Sequence, residues 1–220
     1  MPRVLFEKTG NAVWISHLDL MRLFQRAFKR AGLVLTHTQG FNPRPSVSIA
    51  LPMSVGIESC CELLDFDLEG DFPALNQIKE SLNKTLVAGV RVLDVYEQGR
   101  KVRDLALLSC ELSFEYDNGV PGEAETGIRD LFSEKQLLVD KRSKSGDIVQ
   151  QDIIPLIRSF DIVKTDENTL TISALICCQN PSLNPMQMLA AVNSRLPEFT
   201  PDFCKCRRIE IFDLNETIFR

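Results

Sequence analysis

Residues 16–32 read SHLDLMRLFQRAFKRAG, and the order of elements around this segment decides the fold. The Ser16 hydroxyl can cap a first turn, Asp19 three positions on completes a capping-box-like pair, and Gly32 can end the helix in a left-handed conformation. Between them Leu20, Phe24, Ala27, Phe28 and Ala31 recur at helical spacing, while Arg22, Arg26, Lys29 and Arg30 gather on another face. One side of the helix packs and the other presents charge.

Upstream, Arg3 to Lys8 and Ala12 to Ile15 read as strands flanking a Thr9-Gly10-Asn11 turn. Downstream, residues 36–45, THTQGFNPRP, hold too many breakers for regular structure. Ser46 to Ala50 resumes as strand, and Glu62 to Leu68 alternates apolar and acidic residues as a second strand does. Phe72 to Leu86 reads as helix and Val90 to Tyr96 as strand, which gives the order β-α-β-β-α-β.

After a charged connector, Gln98 to Asp104, the same order is expected again. Leu107 to Tyr116 is a strand, Glu123 to Lys135 a helix and Leu137 to Lys141 a strand. Ile153 to Ser159 is ambiguous, Thr169 to Cys177 is a strand, Pro185 to Leu196 a helix, and Arg207 to Phe212 closes as strand. The reading is an α+β chain of two ferredoxin-like (βαββαβ) modules with antiparallel sheets, at residues 1–98 and 105–220. The repeat rests on element order, since the two halves share no sequence self-similarity.

At 220 residues, with 44% apolar and 25% charged content, the chain can bury a core in each module. A net charge of -5 excludes a general coat for nucleic acid. The charge is unevenly placed, however. Residues 1–48 hold seven basic side chains (Arg3, Lys8, Arg22, Arg26, Lys29, Arg30, Arg44) against Glu7 and Asp19, and residues 49–97 hold three basic against nine acidic. That split points to a localised anionic contact. Seven cysteines, an odd number with two adjacent pairs and no secretory apolar region after Met1, point to a reduced, cytoplasmic chain. No apolar run approaches the ~20 residues of a membrane span, so no membrane partner is expected.

Arg22, Arg26, Lys29 and Arg30 on one helical stripe can track RNA phosphates, or can be an ordinary solvated face. In Gly40-Phe41-Asn42-Pro43-Arg44-Pro45 two prolines stiffen the backbone, and Phe41, Asn42 and Arg44 are the stacking, hydrogen-bonding and charge-pairing types used on unpaired bases. The alternative is a rigid crossover with Phe41 in the core. Lys141, Arg142 and Lys144, in a basic turn that runs to Gly146, and Arg207-Arg208 offer a second contact or an exposed turn of ordinary charge. His17 or His37, with Asp19, Tyr96 or a lysine, could serve as general base in metal-independent RNA cleavage, although a histidine in a first helical turn is more often a hydrogen-bonding residue. The C-x₂₋₄-C spacing of zinc sites is absent, as are phosphate-binding and dinucleotide loops, so no metal and no cofactor are expected.

Lys8-Thr9-Gly10, Ser16-His17-Leu18-Asp19-Leu20, Arg26-Ala27, Arg30-Ala31 and above all Gly40 to Pro45 together resemble the signature of the bacterial radical-SAM-associated domain of unknown function. Lys141 to Gly146 and Leu183-Asn184-Pro185 resemble its later, less specific motifs. The resemblance implies a separate radical-SAM enzyme as partner, because the C-x₃-C-x₂-C cluster motif of that enzyme is missing here. The expectation is a non-catalytic RNA-binding accessory in RNA modification or processing. A more distant resemblance, in element order, is to the CRISPR repeat-processing endoribonucleases. Their glycine-rich loop has no counterpart, since no glycine lies between Pro197 and Arg220. A metal-independent endoribonuclease is therefore one alternative. A protein–protein adaptor using the acidic stretch from Glu58 to Asp71 is the other.

Overall fold

The computed structural model describes residues 1–142 and 146–220, and these are α+β, with four α-helices and mostly antiparallel strand pairing. It divides into two units, Met1–Asp104 with Ile218–Arg220, and Leu105–Thr217.

The first unit runs β1 (Arg3–Lys8), α1 (His17–Arg30), β2 (Val47–Ala50), β3 (Glu58–Phe66), α2 (Leu75–Asn83) and β4 (Val90–Tyr96). Its sheet order is β4-β1-β3-β2, antiparallel throughout. The apolar stripe of α1 lies on this sheet, where Phe24 meets Phe6 edge-on at 4.7 Å and Phe28 meets Phe66 at 5.1 Å between ring centroids. Ile78 and Leu82 of α2 are fully buried in the same core. Ser16 caps α1, and Gly32, at φ 73°, follows its last residues in the left-handed conformation that the sequence predicts.

The expected strand at Ala12–Ile15 is overturned. Gly10–Trp14 is a 3-10 helix, in which the Ala12 N–H donates to the Thr9 carbonyl at 3.2 Å and Ala12 and Val13 are buried. A hairpin there has no edge to pair with, because β1 is already bonded to β3 along one edge and to β4 along the other. Gly89 lets this turn pack: a Cβ on it would collide with the Thr9 carbonyl, and its φ is 85°. Element bounds also differ from expectation, among them both ends of α2. α2 starts after Pro73 rather than at Phe72, and it stops at Asn83 because that side chain takes over edge pairing. The Asn83 amide donates to the Val92 carbonyl at 3.0 Å and accepts from the Val92 N–H at 2.8 Å.

The second unit runs β5 (Leu105–Glu115), α3 (Ala124–Phe132), β6 (Leu138–Arg142), β7 (Ile148–Asp152), β8 (Ile157–Lys164), β9 (Thr169–Cys177), α4 (Met186–Arg195) and β10 (Phe203–Asp213). The sheet order is β10-β5-β9-β8, and β6-β7 form a separate two-stranded sheet. The strand read at Leu137–Lys141 therefore lies outside the main sheet. Its place is taken by the segment whose beginning was ambiguous in the sequence. β8 supplies the side chains that anchor it, with Ile162 buried and Phe160 edge-on to Phe132 of α3 at 5.8 Å. Tyr116 donates its hydroxyl to the Phe199 carbonyl at 2.8 Å, fixing the end of β5 against the turn after α4.

Ile218–Arg220 belong to the first unit. The Phe219 ring lies under the Arg3 guanidinium at 5.4 Å and the Arg100 guanidinium at 5.2 Å. Arg3, only 2% exposed, also binds Asp65 in bidentate fashion, Nε to Oδ1 at 2.6 Å and NH2 to Oδ2 at 3.0 Å. Removing the carboxylate strands a buried guanidinium. Asp65→Ala is expected to lower unfolding free energy by about 3 kcal/mol, measured by urea denaturation, with a change below about 1 kcal/mol refuting a structural role for the pair.

Candidate functional site

The site grows from the solvent face of α1 and the chain that follows it. At the helix start the Ser16 hydroxyl accepts from the Asp19 N–H at 3.2 Å and donates to Asp19 Oδ2 at 2.8 Å. Arg22 NH1 lies 3.0 Å from Asp19 Oδ1. The Ser16 hydrogen bond, then the Arg22 guanidinium, hold the Asp19 carboxyl below its ordinary 3.8. One of the four cations is thus partnered. Arg30 is partly committed too, since its NH2 donates to the Thr85 carbonyl at 2.9 Å. Arg26 and Lys29 are exposed, and neither forms a salt bridge among the described residues.

The breaker-rich segment is more ordered than its composition predicts. Residues 34–38 are held on one side by 67–69, with the Thr36 N–H on the Asp67 carbonyl at 3.0 Å, the Glu69 N–H on the Val34 carbonyl at 2.8 Å, and the Thr36 hydroxyl on Asp67 Oδ2 at 3.0 Å. On the other side the Ser46 N–H reaches the Thr36 carbonyl at 2.8 Å, the Thr38 N–H reaches the Arg44 carbonyl at 2.8 Å, and the Arg44 N–H reaches the Thr38 hydroxyl at 3.0 Å. The result is a closed loop with Gln39 to Pro43 at its tip. Phe41 there has 106% relative exposure, and Asn42 and Arg44 are exposed as well. The alternative that placed Phe41 in the core is incorrect: the bonds that close the loop at Thr38 and Arg44 hold its tip away from the core.

A cavity of about 360 Å³ joins helix and loop. It is lined by the apolar Leu33, Val34, Leu35 and Pro45 and by the polar Gln25, Lys29 and His37. Lys29 and His37, read separately in the sequence, therefore meet at one place. Gln25 and the 33–35 run were missed there. A short apolar run directly after a helix-ending glycine was the available signal.

His17 is not part of this arrangement. It opens α1 eight residues before Gln25, about 12 Å along the axis. Asp19 is engaged by Ser16 and Arg22. Tyr96 lies on β4, where burial, then the Asp94 charge, push its hydroxyl above 10.0. In the second unit Lys141 Nζ donates to the Ser182 carbonyl at 3.2 Å, Arg142 is exposed, and Lys144 lies outside the described residues. Arg208, expected as surface charge, is fully buried. None of the seven cysteines is in a disulfide. Burial raises the Cys110, Cys178 and Cys204 thiols to about 12 and pushes Cys206 higher still, so all four are protonated at neutral pH; Cys110, Cys178 and Cys206 lie in the core and Cys204 is half-buried. Cys206 pairs across the strands with Leu112, and Cys110, opposite Arg208, is close enough to raise it further. Among the described residues no group of three or more His, Cys, Asp or Glu is placed to hold a metal, and no helix is long and apolar enough to cross a membrane.

The chain belongs to a bacterial family: residues 2–185 match the family described as "Uncharacterized protein conserved in bacteria (DUF2344)". The match includes the whole helix, loop and cavity and ends just before α4. No curated protein matches the chain. Among solved structures the chain is similar to an unknown protein from Galdieria sulphuraria, at 8% identity over 94% of this chain and 96% of that one. The TM-score is 0.28, a superposition too loose to bear on fold or function.

The Asp19 carboxylate stabilises the start of α1 only while ionised. Its folded value is depressed, so the contribution is complete above the ordinary 3.8 and lost as pH falls through the lower folded value. Thermal melts of wild type and Asp19→Asn are expected to differ above about pH 4 and to converge towards about pH 2. A difference that does not depend on pH would contradict this role.

Proposed function

We propose that the protein is a non-catalytic RNA-binding accessory in which the α1 cations hold phosphates and the 36–46 loop engages an unpaired stretch. The observation that carries this reading is Phe41, a large aromatic fully exposed on a loop closed by three hydrogen bonds. An aromatic ring presented to water on an ordered support is the device by which single-stranded RNA is stacked. Arg22, Arg26, Lys29 and Arg44 are exposed in the same unit and supply the anion-binding side.

The order 4-1-3-2 of a β-α-β-β-α-β chain in the first unit supports a ferredoxin-like reading. The second unit supports it when β6-β7 is taken as a hairpin inserted between α3 and β8. The radical-SAM partner rests on the resemblance of the signature segments, and Lys141 and Arg142 would be secondary RNA contacts. Seven cysteines outside any disulfide support a cytoplasmic setting. The ribonuclease reading has less behind it, since His17 and His37 lie at opposite ends of α1. The adaptor reading loses much of its acidic surface, because Glu62 is 1% exposed and Asp65 is bonded to Arg3.

Filter binding to single-stranded RNA over a salt series tests the proposal. Each phosphate contact contributes a slope of about -0.7 in log K against log salt, so Arg22→Glu with Arg26→Glu is expected to weaken binding and flatten the slope by more than about 1. An unchanged slope would sink it. Phe41→Ala touches no core residue and is expected to leave the melting temperature unchanged while weakening binding by about 1–3 kcal/mol. Equal affinity would remove Phe41 from the interface.

A further inference from the structure

The cavity beside Lys29 is not used by a strand that only stacks on Phe41 and runs along the α1 cations. Its volume of about 360 Å³ falls within the roughly 300–1,000 Å³ of small-molecule sites, and its lining, apolar residues with a few polar ones among them, has the composition of such a site. Leu33, Val34, Leu35 and Pro45 can enclose a flat, weakly polar body. Lys29 brings a cation that makes no salt bridge among the described residues, and His37 a second ring. Gln25 brings a donor and an acceptor in one plane, the pattern that pairs with N6 and N7 of adenine. An aliphatic ligand would leave the amide and the ammonium unmatched, and an acidic peptide would leave the apolar walls unfilled. A nucleobase with its phosphate matches all of them.

We infer that this cavity receives one unpaired nucleobase, preferentially adenine, with Gln25 on its edge and its phosphate on Lys29. The inference rests on the RNA-binding reading and sharpens it to a strand gripped at two bases, one in the cavity and one on Phe41. The shared chemistry, a base plus a phosphate, also describes a free nucleotide, and the test separates the two sources.

Ten-residue oligoribonucleotides of adenine, uracil and cytosine, an abasic ten-mer of equal charge, and AMP are titrated by fluorescence anisotropy and by NMR of the Gln25 and His37 side chains. Wild type is expected to bind the adenine ten-mer about 10-fold or more tighter than the abasic one. Gln25→Leu should remove that ratio without changing abasic affinity. Gln25→Glu, close in shape and so little threat to folding, should move the preference towards cytosine, whose N4 amine donates to a carboxylate. Salt-dependent binding that ignores the bases overturns the pocket and leaves the RNA reading standing. Perturbation of Gln25 and His37 by AMP without binding of any ten-mer upholds a nucleotide pocket and overturns the RNA reading. No response to AMP or to any oligomer overturns both.

Discussion

The contact of Phe24 and Phe28 with Phe6 and Phe66 decides which side of α1 meets the sheet, and therefore which side is left in water. Burying a Phe side chain contributes about 1.5–3 kcal/mol, and well-oriented ring pairs add about 0.5–1.5 kcal/mol. Rotating the helix by one residue would forfeit these contacts and drive cations into the core. Arg26 and Lys29 face solvent because the aromatic rings face the sheet. The exposed cationic stripe is thus a consequence of core packing rather than a feature added to it.

Strand β1 supplies the second constraint. With β3 and β4 bonded along its two edges, nothing else can pair with it. The turn after it closes on itself as a 3-10 helix, and β2 joins at the far edge of β3. The chain between α1 and β2 must then reach that edge. Residues 34–38 do so by bonding to 67–69, just beyond the end of β3. The exposed Phe41, the loop beneath it and the cavity against Lys29 all lie along this forced route.

The uneven charge of the chain acquires a physical meaning in this arrangement. The acidic stretch from Glu58 to Asp71 is not a continuous surface. Asp65 neutralises the buried Arg3, Glu62 is itself buried, and Asp67 fastens Thr36 at the loop base. Asp19 and Thr85 likewise occupy Arg22 and Arg30. Of the four helix cations, Arg26 and Lys29 are the two that make no salt bridge and no hydrogen bond among the described residues.

The sequence by itself determined α1 with its cap, its packing face and its terminating glycine, because these depend on hydroxyl capping and a 3.6-residue period that act within a few positions. It also determined the alternation of helices and strands and singled out Phe41, Asn42, Arg44 and Lys29. It misread Ala12–Ile15 as strand and Leu137–Lys141 as a strand of the main sheet, since either peptide can adopt extended structure and only the supply of free edges elsewhere decides. Tertiary structure alone decided that Phe41 is outside, that Arg208 is inside, and that Lys29, Gln25 and His37 share one cavity. Those outcomes depend on which distant segments compete for the same strand edge and the same buried volume, and no local pattern records that competition.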